Sequence, residues 1–159
     1  MVLGKGQPNG TAQGDLGLFE LPDRLGGQIG FVLNKAARQL HAMFTESLEP
    51  LGIKPQHYAV LVLLDVSGPL SQQAIGQRLY IDRTTMVHIV DDLEKRGLAV
   101  RAKNPADRRK HAVSITEPAR KVVAEAGRMA DSVQEQYLAP LSQNERRQLL
   151  QLLKRLLRP

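Results

Sequence analysis

Residues Ser71–Gly97 read SQQAIGQRLYIDRTTMVHIVDDLEKRG. Two helices with a tight join are written into this stretch. Ser71 has the side chain of an N-cap, and Ile75 and Leu79 follow at the spacing of one buried helical face. Tyr80-Ile81 leaves room only for a sharp connection. Asp82 then caps a second helix, Arg83 to Arg96, in which Met86, Ile89, Val90 and Leu93 recur on one side. Gly97 supplies the C-terminal stop, and Lys95 and Arg96 sit at the carbonyl end of the dipole.

Downstream, Leu98–Lys103 and His111–Thr116 each alternate apolar and polar residues, and Asn104–Lys110, NPADRRK, lies between them. Two alternating runs around a turn-rich loop predict a β-hairpin with a basic tip. Two short helices followed by such a hairpin make a winged helix-turn-helix. Upstream, Leu25, Ile29, Leu33, Ala36, Leu40, Met43 or Phe44, Leu48 and Leu51 keep helical spacing up to Gly52. From Pro55 a second segment, Gln56 to Val66, has almost no polar face, which predicts a helix buried on all sides. After Thr116, Ala119, Val122, Val123, Ala126, Met129 or Ala130, Val133 and Tyr137 form a stripe ending near Pro140. Ser142–Glu145 then has the form of a capping box ahead of a leucine-rich final helix. The fold class is mainly α with a small β-hairpin wing. The expected division is a flexible glycine-rich tail over 1–22, flanking helices over 23–53 and 117–159, and the winged helix-turn-helix over 54–116.

The chain has 159 residues, 42% of them hydrophobic and 24% charged, which suits one globular domain with extensions. With no cysteine, disulfides, thiolate metal sites and cysteine nucleophiles are excluded. No apolar run approaches a membrane span, so a cytoplasmic location is expected. The formal net charge is +6, and its placement is informative. Arg101, Lys103, Arg108, Arg109, Lys110, Arg120 and Lys121 face only Asp107 and Glu117 within one short segment. A local cationic feature points to a polyanionic partner.

A helix fits the major groove of DNA, and side chains near its N-terminus reach base edges. On the second short helix those are Arg83, Thr84, Thr85, Val87 and His88. Ser71, Gln72 and Gln73, at the start of the first, are accessory DNA candidates. In the wing, Arg101, Lys103, Asp107, Arg108, Arg109 and Lys110 are the candidates: an arginine on a protruding loop enters a narrow minor groove, and lysines suit phosphates. Asp107, two positions before Arg109, is placed to orient that guanidinium by a charge-assisted pair.

These residues carry a resemblance. DRTTMVHIVDDLEKR (Asp82–Arg96) followed by GLAVRAKNPADRRKHAVSITEPAR resembles the MarR family of bacterial regulators from about Leu25 onward, most specifically in the D-x-R wing of Asp107 and Arg109 and in Thr116. The resemblance implies a homodimer whose terminal helices interlock, binding a palindromic operator in double-stranded DNA. It further implies a repressor released by a small aromatic or anionic ligand. A cleft for that ligand would be bordered by His41, Phe44, His57, Tyr58 and Arg128. One departure from the family is Lys54, where a capping Ser or Thr is common, and a loosened helix start is expected there. The dimer also has support from composition, since Leu149, Leu150, Leu152, Leu153, Leu156 and Leu157 are too closely spaced for a monomer to cover.

Catalysis finds no footing. There is no HExxH, no glycine-rich phosphate loop and no nucleophile beside a base. Asp91 and Asp92 are adjacent, so they point to different sides of their helix. The four histidines are scattered, and neither a metal site nor a cofactor is expected. The alternative function is a winged-helix module that docks its basic wing on an acidic protein.

Overall fold

A computed structural model describes residues 23–103 and 111–157. The tail over 1–22 and the wing tip over 104–110 lie outside the described residues, and with them Asp107, Arg108, Arg109 and Lys110. Contacts divide the chain between Ala37 and Arg38.

In the first part, α1 (Asp23–Gly26) is followed by the start of α2 (Ile29–Ser47). The single long helix read from the sequence is thus two, because Gly26-Gly27 offers the weakest helical pair in the segment. On this part Ile29, Phe31 and Leu33 are exposed.

The second part begins within α2. The helix ends at Ser47, where the Thr45 and Ser47 hydroxyls donate back to the His41 and Phe44 carbonyls at 2.8 Å each. A single 3₁₀ turn, Glu49–Leu51, follows, with Gly52 at φ 62° closing it. Then come α3 (Pro55–Ser67), α4 (Gln72–Leu79), α5 (Arg83–Lys95), β1 (Ala99–Lys103), β2 (His111–Ile115), α6 (Glu117–Tyr137) and α7 (Gln143–Leu156).

α3 is the post around which this part packs. Val60, Leu61 and Leu64 are buried, and α4, α5, α6 and β2 all touch the helix. Leu48, Ile53, Ile75, Met86, Val90, Leu93, Val113, Ala119 and Ala126 complete the core. The apolar side of α5 is the one its spacing predicted, with Met86, Ile89, Val90 and Leu93 all buried. Burial of each such side chain contributes about 1.5–3 kcal/mol before entropic costs. Their combined burial fixes which face α5 shows to solvent.

The hairpin is antiparallel, in the register Ala99↔Ile115 to Lys103↔His111. β2 also has a second neighbour that the sequence did not announce. Leu70 and Val113 exchange both backbone hydrogen bonds, at 3.1 and 2.7 Å, which ties the entry to α4 onto the wing. In α7 the capping box forms as read: Ser142 N donates to Glu145 Oε2 at 2.8 Å and Glu145 N to Ser142 Oγ at 3.4 Å. Yet no residue of α7 is buried, and Leu149, Leu150, Leu152, Leu156 and Leu157 stand exposed.

The join between α4 and α5 depends on one glycine. Ile81 N donates to Gly76 O at 2.9 Å, and a Cβ on Gly76 would lie 2.8 Å from the Ile81 carbonyl oxygen. Gly76→Ala should therefore destabilise the protein despite alanine's better helix propensity. Overpacking against backbone costs about 1–3 kcal/mol and propensity returns about 1 kcal/mol at most. Urea unfolding of the two proteins measures the difference, and a more stable alanine variant would refute this account of the turn.

Candidate nucleic-acid interface

Both short helices start from side-chain caps. Ser71 Oγ accepts from Ala74 N at 3.2 Å, and Asp82 Oδ1 accepts from Thr85 N at 3.0 Å. The bonds from Thr85 hold the Asp82 carboxyl below its usual pKa, so the cap is an anion at neutral pH. Beyond this cap Arg83, Thr84, Val87 and His88 face solvent, while Thr85 is half-buried. No ion pair or side-chain hydrogen bond among the described residues occupies Arg83 or His88. Of the accessory candidates, Ser71 serves as the cap, Gln72 is partly buried, and Gln73 is exposed.

Arg101 has a different setting from the one its place in the wing suggested. Val100, not Arg101, is the exposed residue of the pair, and the Arg101 side chain turns back over α5. Its Nη2 donates to Asp91 Oδ1 at 2.6 Å, and Nη1 pairs with Glu94, whose Oε1 also accepts from Arg101 N at 2.7 Å. With its amide turned to accept, Gln72 Oε1 lies 2.7 Å from Arg101 Nη2. Arg101 thus braces the wing against α5 and the start of α4, with its guanidinium engaged by two carboxylates. Lys103 pairs through its backbone with His111. The signal for the brace was present in the sequence as three acids in four residues, Asp91, Asp92 and Glu94, but nothing local named their partner.

Asp92 points elsewhere, as adjacency on a helix requires. Its Oδ2 accepts from Arg96 Nε at 3.0 Å and lies 3.3 Å from His57 Nε2. The Arg96 bond is the main reason its carboxyl stays below the ordinary pKa. His57 is buried, and its Nδ1 accepts from Lys54 N at 3.2 Å. An accepting Nδ1 places the proton on Nε2, facing Asp92. Lys54 therefore does not leave the start of α3 loose: the imidazole three residues on caps it from inside. This also accounts for both ring nitrogens of His57 within the chain. Of the other ligand-cleft candidates, Phe44 and Tyr58 meet edge to face with ring centroids 5.5 Å apart. His41 and Arg128 are exposed, and no hydrogen bond or ring contact among the described residues joins them to that pair.

The MarR family model matches residues 51–110. Over 135 residues the chain is 31% identical to the regulatory protein named for the hcr operon of Thauera aromatica, covering 84% of this chain and 81% of that one. The chain belongs to the MarR family. As a MarR-family member it is a winged helix-turn-helix DNA-binding regulator of transcription. Its fold matches the repressor CouR of Rhodococcus jostii bound to a 23-mer DNA duplex, with TM-score 0.81 and 30% identity over 87% of this chain and 99% of that one. CouR has also been solved with p-coumaroyl-CoA. Bordetella bronchiseptica BpsR, whose DNA binding is regulated by 6-hydroxynicotinic acid, matches with TM-score 0.77 and 26% identity over 85% and 96% of the two chains. Among the described residues, no helix is long and apolar enough to cross a membrane, and no cluster of His, Asp and Glu could hold a metal ion.

The buried His57 makes the MarR-family chain acid-sensitive. Burial is the main cause of its lowered pKa; Asp92 opposes it, and Arg96 and Lys54 add to it. The unfolded chain therefore binds the proton first. Stability is complete above about pH 6.5, the ordinary histidine value, and falls as pH drops below it towards the folded-state pKa. His57→Asn keeps an acceptor near the Nδ1 position and cannot titrate. Thermal melting from about pH 7 to 5 should show a shallower loss for that variant than for the parent. Parallel curves would show that His57 is not the group responsible.

Proposed function

We propose that this chain is a homodimeric repressor of the cytoplasm that reads a palindromic operator through α5 and is released by a small aromatic, anionic ligand. One observation carries the DNA-reading part. The buried apolar side of α5 leaves Arg83, Thr84, Val87 and His88 as its solvent face, and the positive end of the helix dipole lies at that same end. Arg83 suits a guanine edge, Thr84 and His88 suit bases or phosphates, and Val87 suits a thymine methyl. Ser71, Gln72 and Gln73 stand at the N-terminus of α4, beside the backbone. The wing residues from Lys103 to Lys110 would enter the flanking minor groove, with Asp107 orienting Arg109. Residues 54–116 form the DNA-reading region in this scheme, and 23–53 with 117–159 the dimer region.

The homodimer is supported by α7, which presents leucines on several sides and buries none. The ligand is supported by CouR, bound to p-coumaroyl-CoA, and BpsR, regulated by 6-hydroxynicotinic acid, both aromatic compounds, and by the Phe44–Tyr58 pair. His41 and Arg128 are the polar groups assigned to the same cleft; His57 would reach a ligand only by giving up the cap on α3. We assign the chain no catalytic step.

Selection of bound sequences from random duplexes tests the reading directly. A palindromic site should emerge, and affinity for it should fall steeply with salt. Arg83→Ala should weaken binding to that site by about 5- to 150-fold and relax preference at particular bases. Failure to select any duplex, with binding to an acidic protein instead, would replace the reading by a protein-docking module.

The dimer has its own test. Leu152 and Leu156 are 54% and 72% exposed in the single chain, so glutamates there do not disturb its interior. In a dimer they would bury charge at the seam, at a cost of several kcal/mol. Sedimentation of Leu152→Glu/Leu156→Glu should give a monomer with its helicity intact. A variant that remains fully dimeric would exclude α7 from the interface.

A further inference from the structure

Tyr80 ends α4 in the left-handed conformation, φ 54° and ψ 41°, and no other non-glycine residue among those described has a positive φ. That conformation disfavours any residue with a Cβ, and glycine is the usual occupant. The turn gives position 80 no latitude, because Gly76 and Ile81 are held backbone to backbone on either side of it. Burial of a large ring would offset the strain, but Tyr80 is 93% exposed. No hydrogen bond or ring contact within the described residues engages its side chain. The side chain therefore brings strain and an exposed aromatic surface, with no return inside the chain.

Its position suggests where the return lies. Gln73 and Gln77 lie at i and i+4 on one side of α4, and Tyr80 extends their stripe from the C-cap just beyond the helix. All three are exposed, and they line a cleft together with Arg83 and Val87 of α5. The stripe is thus continuous with the recognition face. In a helix-turn-helix the first helix crosses the DNA backbone while the second lies in the major groove.

We propose that Tyr80 binds the DNA backbone beside the groove that α5 enters, its O–H donating to a phosphate oxygen and its ring packing on the adjoining deoxyribose. Gln77, one turn earlier on the stripe, donates to a neighbouring phosphate. Tyrosine and glutamine both serve as phosphate donors, and such contacts set register and affinity without carrying sequence information. The inference rests on the DNA-reading function above.

The test uses the full chain and the duplex obtained by selection. Glycine accepts φ 54° without strain, so Tyr80→Gly should raise the melting temperature while lowering duplex affinity about tenfold or more, equally for all sequences. Tyr80→Phe keeps the ring and the backbone, and should lose about fivefold at unchanged melting temperature. The opposite signs in the glycine variant separate a lost contact from a damaged fold. If that variant melts lower, Tyr80→Phe decides alone. Parent-like affinity in Tyr80→Phe and Tyr80→Gly, beside a clear loss in Arg83→Ala, would overturn the Tyr80 assignment and leave the DNA reading standing. A change of base preference in Tyr80→Gly would overturn the phosphate assignment. A parent that binds no duplex would overturn both.

Discussion

The packing of α5 onto α3 is the constraint on which the interface depends. A helix whose Met86, Ile89, Val90 and Leu93 are buried has no rotational freedom left. Its remaining side is then fixed to within a side-chain width. Arg83, Thr84, Val87 and His88 are functional candidates because the core has claimed the other positions. α3 can serve as the support because it is apolar nearly all round, and so can receive helices on one side and the wing strand on another.

Charge is sorted along α5 in a way that serves the same end. The acids lie in its second half, and each is answered from another place in the chain: Asp91 and Glu94 by Arg101, Asp92 by Arg96 and His57. Unanswered carboxylates on that helix would repel a phosphate backbone. Their pairing leaves the N-terminal half of α5, with Arg83 and the positive end of the dipole, as the half that attracts an anion. The exception is the Asp82 cap, whose charge satisfies the first backbone N–H groups. Exposed charge pairs of this kind add little stability individually. Their value here is in geometry, since Arg101 holds wing, α4 and α5 at one point.

Most of the fold could be read from the sequence, because its determinants are local. Ser71, Asp82 and Ser142 are caps by their own chemistry, and all three accept the backbone hydrogen bonds expected of them. Gly52 and Gly97 stop their segments at positive φ. The apolar spacings of α5 and α6 named their buried faces without reference to any partner. The resemblance in Asp82–Arg96 and the wing then supplied the family, which composition alone did not.

What tertiary structure decided was every relation between residues distant in sequence. No local pattern showed that Arg101 would turn inward and Val100 outward, since strand alternation predicts the reverse; the carboxylates of α5 outweigh it. Nor could the sequence show that His57, rather than Lys54, would cap α3, because the imidazole is held there by Asp92, 35 residues later. The backbone exchange between Leu70 and Val113 belongs to the same class. Spacing and caps act within a turn or two of helix and are legible as letters. The brace, the buried imidazole and the Leu70–Val113 exchange exist only once the core has closed and brought their partners within hydrogen-bonding distance.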